Sequence, residues 1–194
     1  KIEHNTRALV DLLTPVGVKV VGITKATLGK PEIGAAMLRG GAAGLGDSRV
    51  SNLSRLSGLA GSASRTLIRS PMLSEARDVV RTATCSLNTG AAVLKRLDEA
   101  ATQERRIHDV VLMVELGDLR EGIAADDVAD AARAVLGHAS LRLIGLGANL
   151  ACQNGVVPTD KNMDVLTTLV TDVESAHGIS LDRVSGGNSA TLEW

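Results

Sequence analysis

Val18-Lys19-Val20-Val21-Gly22-Ile23-Thr24-Lys25 is a β-branched run that ends in a hydroxyl and an amine, with Pro31 and the helical-period segment Glu32 to Arg39 close behind it. This order reads as one βα unit. Proline costs least at the first helical position, where the missing backbone donor would have had no partner, so Pro31 marks a helix start. The unit recurs along the chain. Strands are predicted near Val18 to Thr24, Ala43 to Gly46, Thr66 to Arg69, Thr84 to Leu87, Val110 to Glu115, Leu141 to Gly147 and Leu181 to Val184. Helical periodicity covers Glu32 to Arg39, Val50 to Leu59, Ser74 to Arg81, Gly90 to Glu104, Ala125 to Leu136 and Lys161 to His177, and Ile2 to Leu13 opens the chain on a helix. Pro71 is read as a second helix start.

Alternating strands and helices imply an α/β fold with a parallel sheet. Steps of about 20 to 35 residues fit a (β/α)8 TIM-type barrel better than an open doubly wound sheet, although spacing alone leaves both open. Seven strands are one short of that barrel. An edge left unclosed after the seventh strand predicts an incomplete barrel, so that residues 1–194 form one domain of a longer chain.

Composition narrows the function. The 194 residues are 44% hydrophobic, enough for one well-buried core. The 21 basic and 22 acidic residues give a net charge of -1 and are spread along the chain, which argues against nucleic acid or an anionic membrane as partner. A small molecule is expected instead. No apolar run nears the ~20 residues that span a bilayer, and Lys1 to Asn5 lacks signal-peptide architecture, so a cytoplasmic protein is expected. Two cysteines, Cys85 and Cys152, build neither a disulfide framework nor a zinc site, and no metal is expected. Phe and Tyr are absent and Trp194 is the single aromatic.

In a barrel the polar residues that follow each strand line the active site. Here they are Thr24, Lys25 and Thr27, then Asp47, Ser48 and Arg49, then Arg69 and Ser70, then Asn88, then Glu115, Asp118, Arg120 and Glu121, then Asn149, and last Ser185, Asn188 and Ser189. A lysine at a strand end can offer its amine to a carbonyl compound as a Schiff base, provided it is desolvated; otherwise it is a solvated side chain. The loop Ser185-Gly186-Gly187-Asn188-Ser189 supplies glycines for close backbone approach and donors for anionic oxygens. Amine and phosphate cradle together suggest pyridoxal phosphate. Arg120 can hold a phenolate or carboxylate in its planar fork, or pair with Glu121 or Asp118. Asn149 can contact a ring or substrate, or form a turn. The four histidines are expected at the surface, with His108 and His138 in connectors before strands. Asp126, Asp127 and Asp130 read as a solvated helix start.

Taken in order, Thr24-Lys25-Ala26, Gly46-Asp47-Ser48-Arg49, the segment Glu115 to Gly122, Asn149-Leu150-Ala151-Cys152 and Ser185 to Ser189 form a set. It resembles the N-terminal barrel domain of the alanine racemase superfamily, nearest its alanine/ornithine racemase-like branch. The resemblance implies a fold-type III pyridoxal 5'-phosphate enzyme. It implies that Lys25 carries the cofactor as an aldimine, that Arg120 contacts the phenolic oxygen, and that Ser185, Gly186, Gly187, Asn188 and Ser189 belong to the phosphate loop. Asn149 stands where alanine racemases carry a histidine beside the ring. The family's arginine at the pyridine nitrogen, and the tyrosine supplied across a homodimer, have no counterpart in these residues.

The activity so implied is racemisation of an amino acid, alanine or a basic one such as ornithine or lysine, with Lys25 abstracting the α-proton on one side. Asp47, Arg69 and Asp118 are candidate substrate contacts, and acidic residues at the rim would suit a cationic side chain. A non-catalytic pyridoxal-phosphate carrier of the same superfamily is the alternative. A lyase of the D-threonine aldolase or D-serine dehydratase type would call for metal ligands that the sequence does not show.

Overall fold

The computed structural model describes residues 1–59, 63–151, 155–189 and 192. Contacts divide the chain into two compact parts, Lys1–Ser86 and Leu87–Trp194. The first contains helix α1 (Ile2–Leu13), strand β1 (Val21–Ile23), α2 (Pro31–Arg39), β2 (Gly44–Asp47), α3 (Val50–Arg55), β3 (Ser64–Leu67), α4 (Ala76–Thr82) and the start of β4 (Cys85–Asn88). The second continues with α5 (Ala91–Gln103), β5 (His108–Val114), α6 (Val128–Leu136), β6 (Leu141–Ala148), α7 (Asp160–His177) and β7 (Arg183–Ser185).

Every described pairing is parallel, as the βα pattern requires. In the first part Val21 pairs with Gly44, Asp47 with Leu67, and Thr66 with Cys85. In the second, His108 pairs with Leu141 and Gly145 with Arg183. Strand β5 shows why these runs are so apolar. Val110, Val111, Leu112, Met113 and Val114 are all buried, because helices cover both kinds of neighbour and leave no solvent face to a parallel strand. The first part is filled by Leu45, Leu53, Leu56, Leu67 and Val79, the second by Leu97, Leu112, Leu146 and Leu166, with no aromatic ring among them. Gly145 is required where it stands. A β-carbon there would collide with the backbone oxygen of Arg183, so β6 and β7 approach this closely only with glycine.

Helix boundaries follow local chemistry. Pro31 is the first residue of α2, as expected. Helix α7 opens on a capping box, with Asn162 N–H donating to Thr159 Oγ1 at 3.3 Å and Thr159 N–H to Asn162 Oδ1 at 2.8 Å, and it ends at Gly178 in the left-handed region. Three expectations need correction. Strand β1 is shorter than Val18 to Thr24, because Val18 is exposed and the pairing with β2 starts only at Val21. Pro71 does not open a helix; a 3-10 turn at Leu73–Glu75 intervenes before α4. Helix α3 stops at Arg55 rather than Leu59, where Ser57 Oγ bonds back to the Ser54 carbonyl at 2.7 Å and competes with the helical pattern.

His108 is the largest departure. It is the first residue of β5 and only 1% exposed, and burial pushes its imidazole down to about 4 while the neighbouring Asp109 carboxylate opposes the shift. His138 lies 3.3 Å from Asp98, and His4 is exposed. Asp126, Asp127 and Asp130 are exposed at the start of α6 as expected. Cys85 is a buried free thiol; Cys152 and Trp194 lie outside the described residues. Among the described residues no helix is long and apolar enough to cross a membrane.

Candidate active site at the strand ends

In the first part, the chain leaves β1 through Thr24 and turns at once into a 3-10 helix, Lys25–Thr27. Thr24 is fully buried and its carbonyl gathers the turn, accepting from Thr27 N–H at 2.9 Å, Thr27 Oγ1 at 3.0 Å and Gly29 N–H at 3.3 Å. Lys25 is solvent-exposed at the head of this turn.

Asp47, at the end of β2, was expected on the rim as a substrate contact. It is 0% exposed instead. Its Oδ2 accepts from Thr24 Oγ1 at 2.7 Å, and its Oδ1 from Arg49 N–H and Asn52 Nδ2, both at 3.0 Å. A buried carboxylate engaged by three donors serves the scaffold, since an unsatisfied one would cost several kcal/mol, on the order of its desolvation. Arg69 lies elsewhere. With Ser48, Arg49, Ser51, Glu75 and Asp78 it lines an open cleft of about 510 Å³ between α3 and α4, and Lys25 is not in that lining.

In the second part, β5 exits into the loop Glu115 to Gly122, which the chain closes by pairing Val114 with Ile123. Glu115 N–H donates to the Ile123 carbonyl at 2.9 Å and Ile123 N–H to the Met113 carbonyl at 2.8 Å. Inside the loop one carboxylate oxygen, Glu115 Oε1, accepts from Gly117 N–H at 2.5 Å and Leu119 N–H at 3.0 Å. This bond pattern holds Gly117 at φ 109° and Leu119 at φ 48°, a region costly for leucine, and leaves Leu119 79% exposed. Asp118 is 1% exposed, so it too is a buried carboxylate and not a rim acceptor.

Arg120 then reaches the end of β6. Its Nη2 donates to Asn149 Oδ1 at 2.5 Å and lies 3.5 Å from Glu121 Oε1, with the two charged side chains only 24% and 25% exposed. Of the two readings of Arg120, the ion pair with Glu121 is present, and the fork also reaches an amide oxygen. The guanidinium also fixes the asparagine amide, because a donor on Oδ1 assigns Nδ2 to the other side. Asn149 Nδ2 is buried and has no hydrogen-bond partner among the described residues. Such a donor fits a ligand acceptor.

Ser185 ends β7 opposite Gly147 of β6, and Asn188 Nδ2 donates to the Leu150 carbonyl at 2.7 Å. The Ser185 to Ser189 loop is thereby tied to the segment that carries Asn149. Gly186 sits against Met163 and Leu166 of α7, and Gly187, Asn188 and Ser189 are exposed. Asn52 belongs to no motif visible in the sequence, and Glu115 is there one charge among several. The signals for both were faint: an asparagine in the first turn after an Asp-Ser-Arg strand exit, and a glutamate two residues before a glycine.

Residues 1–194 match the family described as alanine racemase, N-terminal domain. The chain is 31% identical over 196 residues to a lysine racemase of Thermotoga maritima, covering 99% of this chain and 53% of that protein. It is 36% identical over 147 residues to an ornithine racemase of Acetoanaerobium sticklandii, covering 75% and 41% respectively. The chain therefore spans about half the length of the relatives it matches. Solved structures with the same fold include a D-threonine aldolase from Filomicrobium marinum, at TM-score 0.86 and 17% identity over 99% of this chain and 55% of that one. An alanine racemase of Clostridium difficile superposes at TM-score 0.80 and 14% identity, over 97% and 51%. At such identities the likeness carries the fold alone, an α/β barrel.

Proposed function

The chain belongs to the alanine racemase N-terminal domain family, and on that premise we propose that it is the cofactor-binding barrel domain of a pyridoxal-phosphate-dependent amino-acid racemase. The observation that carries the reading is the Arg120–Asn149 pair, a guanidinium and a buried amide whose remaining donor has no acceptor among the described residues. That donor set suits the oxygen and ring substituents of pyridoxal 5'-phosphate. When bound, the cofactor supplies an electron-withdrawing ring that makes a substrate α-proton removable.

The residues divide the work. Lys25 would hold the cofactor through its amine and would carry the α-proton on one side. Arg120 and Asn149 orient the ring. Ser185, Gly186, Gly187, Asn188 and Ser189 supply the N–H and hydroxyl donors of a phosphate loop. The second proton carrier lies outside this set, and the reading includes a homodimer. The substrate is alanine or a basic amino acid. Relatives named for lysine and ornithine favour a cationic side chain, whereas the buried Asp47 and Asp118 no longer support it, leaving Glu121 as the nearby acid.

The direct test adds pyridoxal phosphate to the chain and to its Lys25→Ala variant, traps bound cofactor with borohydride and maps the modified lysine. Attachment confined to Lys25 is expected. Attachment that survives Lys25→Ala removes the reading. Exchange of the α-proton in deuterium oxide by the full-length protein, across alanine, ornithine and lysine, then assigns the substrate.

A further inference from the structure

Lys25 is presented by a turn that follows a short strand. Strand β1 is three residues long, and the turn behind it ends at Leu28 with φ 54° and Gly29 with φ 66°. Thr24 N–H donates to the Gly46 carbonyl at 2.9 Å, and its hydroxyl lies 3.3 Å from the same oxygen. Three further contacts from the β2–α3 segment hold the turn. Arg55 Nη1 donates to the Leu28 carbonyl at 2.7 Å. Gly29 lies against the backbone of Asn52 so closely that a β-carbon would come within 2.5 Å of the Asn52 carbonyl oxygen. Asp47 takes the Thr24 hydroxyl at 2.7 Å while the same carboxylate holds Arg49 N–H and Asn52 Nδ2.

The third contact differs from the other two. It places a fully buried carboxylate, met only by neutral donors, against the residue next to Lys25. A staple between β2 and α3 needs only the Arg49 and Asn52 bonds. The oxygen turned toward Thr24 does nothing for α3. It fixes the peptide from which the Lys25 side chain departs, because the Thr24 carbonyl that gathers the turn belongs to the same residue. Two anchors on one residue, hydroxyl outward to Asp47 and carbonyl forward to Thr27 and Gly29, leave that residue no rotation about its backbone.

We propose that Asp47 is a positioning residue for Lys25, acting through the Thr24 hydroxyl to set the direction in which the amine leaves β1. The proposal rests on the reading that Lys25 is the attachment point, and it concerns orientation and not contact with substrate or cofactor. It predicts that Asp47 and Thr24 act as a unit.

A double-mutant cycle tests this, with Asp47→Asn, Thr24→Val and the pair combined, and with Thr24→Ser as the variant that keeps the hydroxyl. The readouts are the rate at which pyridoxal phosphate attaches to Lys25, the pH midpoint of the attached cofactor's absorbance, and, with no cofactor present, amide hydrogen exchange at Thr27 and Gly29. Each single variant is expected to slow attachment about tenfold, the size of one hydrogen bond to a charged group, to move the pH midpoint, and to speed exchange at both amides. The double variant should go no further than the stronger single, and Thr24→Ser should restore wild-type behaviour. Additive effects, or a Thr24→Val chain that attaches cofactor and exchanges like wild type, overturn the proposal. Should Asp47→Asn fail to fold, Thr24→Val against Thr24→Ser decides alone. Cofactor that attaches to wild type at another lysine sinks the Lys25 reading instead, a distinct outcome of the same mapping.

Discussion

Arg120 Nη2 donates to Asn149 Oδ1 across the ends of β5 and β6, joining two side chains 29 positions apart and leaving the asparagine a donor unmatched among the described residues. Replacing either partner breaks the pair differently. Asn149→Ala removes the donor and leaves Arg120 with Glu121, whereas Arg120→Lys keeps the charge but loses the planar fork that sets the amide. Each is expected to weaken pyridoxal-phosphate binding by about tenfold, one charge-assisted hydrogen bond, in an absorbance titration. Equal affinity in both variants and wild type would mean that the pair orients nothing.

Glu115 is expected to order the loop that carries Arg120. Glu115→Ala frees two backbone donors, Gly117 N–H and Leu119 N–H, so hydrogen exchange at those amides should rise while β5 and β6 stay protected. Protection unchanged at Gly117 would show that the loop needs no side chain to hold it.

Buried His108 makes stability depend on pH. The unfolded chain protonates it near 6.5 and the folded chain only near 4, so between these values the unfolded state carries the extra proton. Stability is full above pH 6.5 and falls as pH drops toward 4, by on the order of 3 kcal/mol for a displacement of that size. Urea midpoints at pH 7.5, 5.5 and 4.5 check it, with His108→Gln expected to show a shallower decline. The same decline in the variant would place the effect on other groups.

Gly145→Ala pushes a methyl group into the Arg183 carbonyl and should part β7 from β6, costing about 1 to 3 kcal/mol as overpacking does. The measurement is the shift in urea midpoint beside Gly137→Ala, whose β-carbon would stay 3.4 Å from its nearest neighbour. Equal shifts would sink the close-approach argument.

Much of the fold was readable because a parallel strand is a dense signal. Val110 to Val114 and Leu143 to Gly147 are buried runs with polar exits, and both stand where strands are expected. Edges were harder. Val18 looks like strand but bonds back to the Leu13 carbonyl, and the pairing of β1 with β2 starts only where Val21 meets Gly44. At the candidate site, Lys25, Arg120 and Asn149 can be proposed from sequence because chemistry at a strand end is local. The burial of Asp47 and Asp118 could not be read there, since a carboxylate after a strand looks the same in sequence whether it faces solvent or the interior. The partner that decides for Asp47, Thr24, lies 23 residues away.

Leu119 gives the chain a laboratory handle. An exposed side chain, held in one backbone shape by a neighbouring carboxylate, stands one residue from Arg120 in a protein with no phenylalanine, no tyrosine and a single tryptophan. The near-ultraviolet is almost empty. A Leu119→Trp emitter, read in a Trp194→Phe background, would stand alone, and its quenching by a coloured ligand would turn occupancy next to Arg120 into a light signal.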